Sequence, residues 1–163
     1  RRKYSDLRII HLDAHADLRD EYLGVSWSHA CVIRRCWEII GDGKIWQFGI
    51  RSGDREEFAC GKEHVFTNRF NLEGIEETVR SLGDAPVSFT VDLDVLDPSI
   101  FPGTGTPEPG GVSFDALRQA VTYVCGHANV VSCDVNELSP NYDASGVSTM
   151  VACKLVREML LAL

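Results

Sequence analysis

The chain has 163 residues, 44% of them hydrophobic, enough for one buried core, and no composition shift marks a linker, so residues 1–163 read as a single domain. A net charge of −8, spread over interspersed acids and bases, argues against a nucleic-acid or anionic-membrane surface and suits a small cationic substrate. No run approaches the roughly 20 apolar residues that span a bilayer. Cys31, Cys36, Cys60, Cys125, Cys133 and Cys153 form no Cys-x-x-Cys pair and are expected to be reduced, buried small hydrophobes of a cytoplasmic protein.

Residues 7–12 form an apolar strand leading into Asp13-Ala-His-Ala-Asp17. In extended chain, side chains two apart point the same way, so Asp13, His15 and Asp17 converge as a comb of potential metal ligands. Residues 18–27 show no period and are expected to loop over that comb. Ser28 is suited to cap a helix to about Gly41, with Cys31, Val32, Cys36 and Ile39 or Ile40 as its apolar stripe. A strand over 44–50, a turn over 49–53, a short helix over 54–60 and a short strand over 64–67 follow. A helix over 72–82 then repeats Leu72, Ile75, Val79 and Leu82 at helical spacing.

Pro86 begins a second hydrophobic strand, which ends in another comb, Asp92 and Asp94. The Pro/Gly/Thr-rich segment 98–111 is an irregular connection of a length that is usually functional. It lacks Gly-Lys-Ser/Thr and so is not a phosphate loop, and its glycines are expected to supply backbone angles. Ser113 caps a helix to His127, with Asp115 in the first turn where a negative charge complements the dipole. Residues 130–135 are expected to form a buried strand. Ser145 or Ser148 is expected to open a last amphipathic helix carrying Met150, Val151, Leu155, Met159 and Leu160.

Strands alternating with helices imply an α/β fold, a three-layer α/β/α sandwich around a mainly parallel sheet with right-handed crossovers. Ligands bind such sheets at the carboxyl ends of the strands, where both combs and Glu137 fall. The combs together supply four carboxylates and one imidazole. Carboxylates about 4–5 Å apart repel by several kcal/mol per pair at an effective dielectric of about 20, so the set is expected to bind cations. Oxygen-rich ligands suit Mn²⁺ better than Zn²⁺, with Fe²⁺ and Co²⁺ left open. Two such cations about 3.5–4 Å apart lower the pKa of a shared water from about 15.7 towards neutrality.

Asp13-Ala-His-Ala-Asp17, Ser88-Phe-Thr-Val-Asp-Leu-Asp-Val-Leu-Asp-Pro98 and Pro102-Gly-Thr-Gly-Thr-Pro-Glu-Pro-Gly-Gly111 resemble the signatures of the ureohydrolases, the arginase and agmatinase family of dinuclear manganese enzymes. That resemblance implies Asp13, Asp17 and Asp92 on one Mn²⁺ and Asp13, His15, Asp92 and Asp94 on the other. It also implies Glu137 as the guanidinium acceptor, His29 as the proton shuttle, and a homo-oligomer, trimer or hexamer. A further family ligand, the His of a Gly-Gly-Asp-His motif upstream of the first comb, has no counterpart. The chain is therefore expected to cover a little over half of the family domain, without its N-terminal part.

Ser28-His-Ala-Cys31 and Pro107-Glu-Pro109 look most like agmatinases, which convert agmatine to putrescine and urea, and Leu18 to Trp27 does not reproduce the amino-acid grip of arginases. Asp20 or Glu21 is expected to meet the substrate's far ammonium. The alternatives are an arginase, guanidinobutyrase or formiminoglutamase, a silent relative acting as a binding subunit, and a distantly related zinc amide hydrolase. His11 shares strand parity with Asp13 but is read as structural. His64 and His127 are read as solvated, Asp97 as a turn residue and Asp134 as a strand-end hydrogen-bonding group.

Overall fold

In the computed structural model, which describes residues 3–163, each apolar run pairs with another in parallel. β1 (Arg8–Leu12), β2 (Ile45–Ile50), β3 (Phe66–Arg69), β4 (Pro86–Asp92) and β5 (Asn129–Asn136) form one sheet in the order β3-β2-β1-β4-β5. The chain winds outward from β1 to β3, then returns to lay β4 on the other side of β1. β1 and β4 therefore flank the topological switch point, the place where an open parallel sheet leaves a crevice at its carboxyl end.

Helices α1 (Val32–Ile40) and α2 (Arg55–His64) lie on one face, where Ile9, Ile45 and Ile50 pack with Ile33 and Ile40. On the opposite face, Ile10, Leu12, Phe89 and Val91 pack against α3 (Ile75–Leu82), α4 (Phe114–His127) and α5 (Val147–Ala162) through Val79, Leu117, Val121, Val124 and Leu155. The sandwich thus has three layers over β1 to β3. Along β4, buried residues alternate with partly exposed ones, and β5 is largely exposed. The expectation of a buried strand over 130–135 is corrected: β5 is an edge strand whose second face no helix among the described residues covers.

Other expectations shift for local reasons. Ser28 accepts from the Ala30 N–H and caps a 3₁₀ turn, His29–Cys31, before α1 begins. The stripe of α1 falls on Ile33 and Ile40, leaving Val32 and Ile39 exposed. Asp54 and Glu57 form a reciprocal capping box that starts α2 firmly, so it runs to His64 and displaces β3 to Phe66–Arg69. Gly146, not Ser145 or Ser148, precedes α5, and Met150 and Leu160 are exposed while Leu155 and Met159 are buried. All six cysteines are unpaired, but only Cys31 and Cys125 are buried, and Cys133 and Cys153 are exposed. Among the described residues no helix is long and apolar enough to cross a membrane. His64 is half-buried, stacked on Trp37, and Asp134 accepts from the Thr90 hydroxyl at 2.7 Å.

Asp97 is the turn residue expected of it. Its carboxylate accepts from the Ser99 N–H and hydroxyl and from the N–H groups of Gly110 and Gly111, clamping the two ends of segment 98–111 together. These donors, Ser99 first, pull its pKa down to about 2 from 3.8. A depressed carboxylate contributes stability above its unfolded pKa and loses it as pH falls through the folded value. Asp97→Asn is therefore expected to lower the melting temperature at pH 6 and to flatten the loss of stability between 3.8 and about 2, read by thermal melts across that window.

Candidate metal centre

The first comb leaves the end of β1 through a bend at Ala14, and β2 reaches past it through Gly49. Gly49 has φ +87°, and a Cβ there would lie 2.5 Å from Val95 Cγ2 and 3.1 Å from the Asp13 carbonyl oxygen. The close approach lets Arg51 and Ser52 donate N–H bonds to the Ala14 carbonyl at 2.7 and 2.8 Å. Across the switch point, Asp94 accepts from the Ala14 N–H at 3.1 Å, docking the second comb onto the first. Asp92 in turn accepts from the Asp94 N–H at 2.9 Å, fixing the 3₁₀ turn Leu93–Val95.

All seven site residues expected from the sequence line one cavity of about 160 Å³: Asp13, His15, Asp17, Asp92, Asp94, His29 and Glu137. Ligand atoms of Asp13, His15 and Asp94 lie within 4.8 Å of one another, as do those of His11, Asp13 and Asp17. His15 Nδ1 is 3.0 Å from Asp94 Oδ2 and 3.4 Å from Asp13 Oδ1. A roomier groove of about 620 Å³ beside α2 and β3 has only Glu57 and Glu73 as carboxylates, so size does not mark the site.

The electrostatics are those of a crowded, buried acidic cluster. Burial, followed by the charges of Asp13 and Asp94, pushes Asp92 up to about 10. Burial and Asp13 push Asp17 up to about 7. Burial disfavours a charged His15, yet the adjacent carboxylates of Asp13 and Asp94 carry its pKa up to about 11. Protons take up the negative charge where ions could. Asp94 Oδ2 is buried and, despite its closeness to His15, makes no aligned hydrogen bond. A buried acceptor without a donor is costly, and a divalent cation fits it: the donor set is four carboxylates and one imidazole.

Two further positions carry a mark of function in the backbone. Of four non-glycine residues with positive φ among those described, two are Asp17 (φ +54°) and Glu137 (φ +62°). Left-handed backbone at such residues costs about 1–3 kcal/mol and persists where the surroundings enforce it. Glu137 follows β5, and His29, in the 3₁₀ turn, packs edge-on to Tyr22 with ring centroids 5.4 Å apart.

Sequence reasoning missed three groups. Arg51 places its guanidinium among the carbonyls of Gly49, Asp94, Val95, Leu96, Glu108 and Pro109. Glu108 accepts from the Ser52 hydroxyl at 2.9 Å and comes within 4.0 Å of His15 Nε2. Their signal was an Arg directly after a strand end and a Glu between two prolines. His11, read as structural, lies in contact with the site: its Nε2 is 2.8 Å from Asp13 Oδ2. Conversely, neither Asp20 nor Glu21 lines the cavity, and Asp20 is exposed and bound to Arg35 at 2.8 Å.

The Arginase family's sequence model matches residues 1–162. The chain is 44% identical to the agmatinase of Bacillus subtilis (strain 168) over 163 residues, covering 98% of this chain and 56% of that protein. A crystal structure from Clostridium difficile described as an agmatinase superposes with a TM-score of 0.95 at 49% identity, covering 99% of this chain and 59% of that one. Proclavaminate amidino hydrolase from Streptomyces clavuligerus superposes with a TM-score of 0.84 at 30% identity, covering 99% and 56% respectively. The chain thus spans little more than half the length of these relatives. Two combs meeting at the switch point of a parallel sheet, and these likenesses along nearly every residue, have one conclusion: the chain belongs to the arginase family.

Proposed function

We propose that this chain carries the catalytic cluster of an agmatinase-like ureohydrolase, a hydrolase that cleaves the guanidinium of agmatine to putrescine and urea with two Mn²⁺ ions. The observation that carries the reading is the convergence of Asp13, His15, Asp17, Asp92 and Asp94 with Glu137 and His29 in one cavity. When bound, a pair of divalent cations would make water nucleophilic near neutral pH. Asp13, Asp17 and Asp92 would hold one ion, and Asp13, His15, Asp92 and Asp94 the other.

Glu137 presents a carboxylate to the planar guanidinium, which it accepts through paired hydrogen bonds, so the carbon faces the acidic cluster. Addition of water to that carbon and cleavage of its bond to the substituted nitrogen leave urea and an amine. The departing nitrogen needs a proton, and His29, edge-on to Tyr22 in the cavity wall, would deliver it. A homo-oligomeric state and a cytoplasmic setting belong to the same reading, the latter supported by six unpaired thiols.

A second reading, a guanidino acid as substrate, is favoured by Arg19, a lining residue of the cavity, although Asp54 and Glu57 already pair with its guanidinium at 3.3 Å. Urea release from agmatine, arginine and guanidinobutyrate, and formamide release from formiminoglutamate, measured side by side with Mn²⁺, separate the two. Agmatine is expected to be the best substrate, and preference for guanidinobutyrate would transfer the assignment to the second reading. Glu137→Gln is expected to raise KM for agmatine about 10- to 100-fold, the worth of roughly 1.5–3 kcal/mol in a charge-assisted bond. An unchanged KM would remove Glu137 from substrate binding.

A further inference from the structure

One buried polar chain beside the acidic cluster is not used by the proposed reaction. Thr67 on β3, Gln47 on β2 and His11 on β1 are neighbours in register across three strands. Gln47 is wholly buried, and His11 and Asp13 are each 2% exposed. The Gln47 amide atom that faces the Ala16 carbonyl must be the nitrogen, because a carbonyl only accepts, and the other, Oε1, accepts from the Thr67 hydroxyl at 3.2 Å. That nitrogen donates to the Ala16 carbonyl at 2.8 Å and lies 3.1 Å from His11 Nδ1. An amide nitrogen can only donate, so Nδ1 must accept and the ring hydrogen sits on Nε2. Nε2 in turn donates to Asp13 Oδ2 at 2.8 Å, while Asp13 Oδ1 accepts from the His15 N–H at 2.6 Å.

We propose that Gln47 and His11 are positioning residues that fix the tautomer of His11 and thereby the plane of the Asp13 carboxylate. Each Asp13 oxygen is then gripped by one donor, leaving its remaining lone pairs for cations in the cavity. Gln47 also ties down the Ala16 carbonyl, between His15 and Asp17, so a single amide sets both ends of the first comb. A side chain that merely satisfied its own burial could have been replaced by an apolar residue of like volume; three polar residues in register across β1 to β3 instead deliver one hydrogen to one oxygen. Donors that orient ligands typically change metal affinity 10- to 100-fold.

The inference rests on the metal-site reading above, and its test separates the two. Nitrogen-15 NMR of histidine in the metal-free chain should show His11 with hydrogen on Nε2, and Gln47→Leu should populate the Nδ1–H form. Titration with Mn²⁺ alone should show the dissociation constant raised 10- to 100-fold in His11→Leu, and restored to within about 3-fold of the original in His11→Gln, whose amide nitrogen can occupy the Nε2 position. Hydrogen on Nδ1 in the unsubstituted chain, or Mn²⁺ affinity unchanged in a folded His11→Leu, would overturn the relay. The NMR result stands without either variant folding. An unsubstituted chain that binds no Mn²⁺ would overturn the metal reading on which the relay depends.

Discussion

Asp92→Asn is expected to lower urea release from agmatine by at least about three orders of magnitude in the Mn²⁺-loaded protein, because without ion-assisted activation the pKa of water returns from near 7 towards about 15.7. Its effect on the metal-free fold has the opposite sign. Asp92 is raised to about 10 by burial and by its neighbours Asp13 and Asp94, so the native chain holds a proton there that the unfolded chain releases near 3.8. Where the native state binds more protons, stability falls as pH rises. Chelator-treated protein should therefore melt at a lower temperature at pH 8 than at pH 6, and Asp92→Asn, which cannot ionise, should flatten that slope. A variant that kept full urea release would show that Asp92 has no part in the chemistry.

The second large effect is expected at Arg51. Its guanidinium donates to Asp94 and Glu108 carbonyls at 2.8 Å and to those of Gly49, Val95, Leu96 and Pro109 at 3.1–3.3 Å. One side chain thus joins the end of β2, the turn that carries the second comb and the 98–111 segment. Arg51→Ala should destabilise the fold by roughly 3 kcal/mol, since bonds to a charged donor contribute about 1.5–3 kcal/mol each and partial exposure reduces their sum. Arg51→Lys should recover only part of this, because an ammonium has three donors and no planar fork. Chemical denaturation of both variants checks the order. Equal stability of Arg51→Ala and the parent would mean that water replaces the guanidinium without loss.

The strand and helix order was legible because most elements announce themselves by period and cap. Asp13 and Asp92 were legible for a related reason: side chains two apart at the end of a strand share a direction whatever the fold. What the sequence could not show is where strands lie side by side. Among the described residues β4 and β5 have one uncovered face, so hydrophobicity along 130–135 suggested burial that the layer arrangement does not provide. His11 was undervalued because its neighbour is Gln47, 36 positions away and visible only through strand register. Arg51 escaped notice because its partners are backbone carbonyls, which carry no residue-type signature. The left-handed backbone at Glu137 likewise has no mark in a residue type that ordinarily avoids it.

Crystals of the chain equilibrated with Mn²⁺ and measured near the manganese absorption edge would test most directly whether the β1 and β4 carboxylates share their ions. Two anomalous peaks are predicted in the cavity, both in contact with Asp13 and Asp92. Peaks confined to one comb, or none within reach of either residue, would contradict the account.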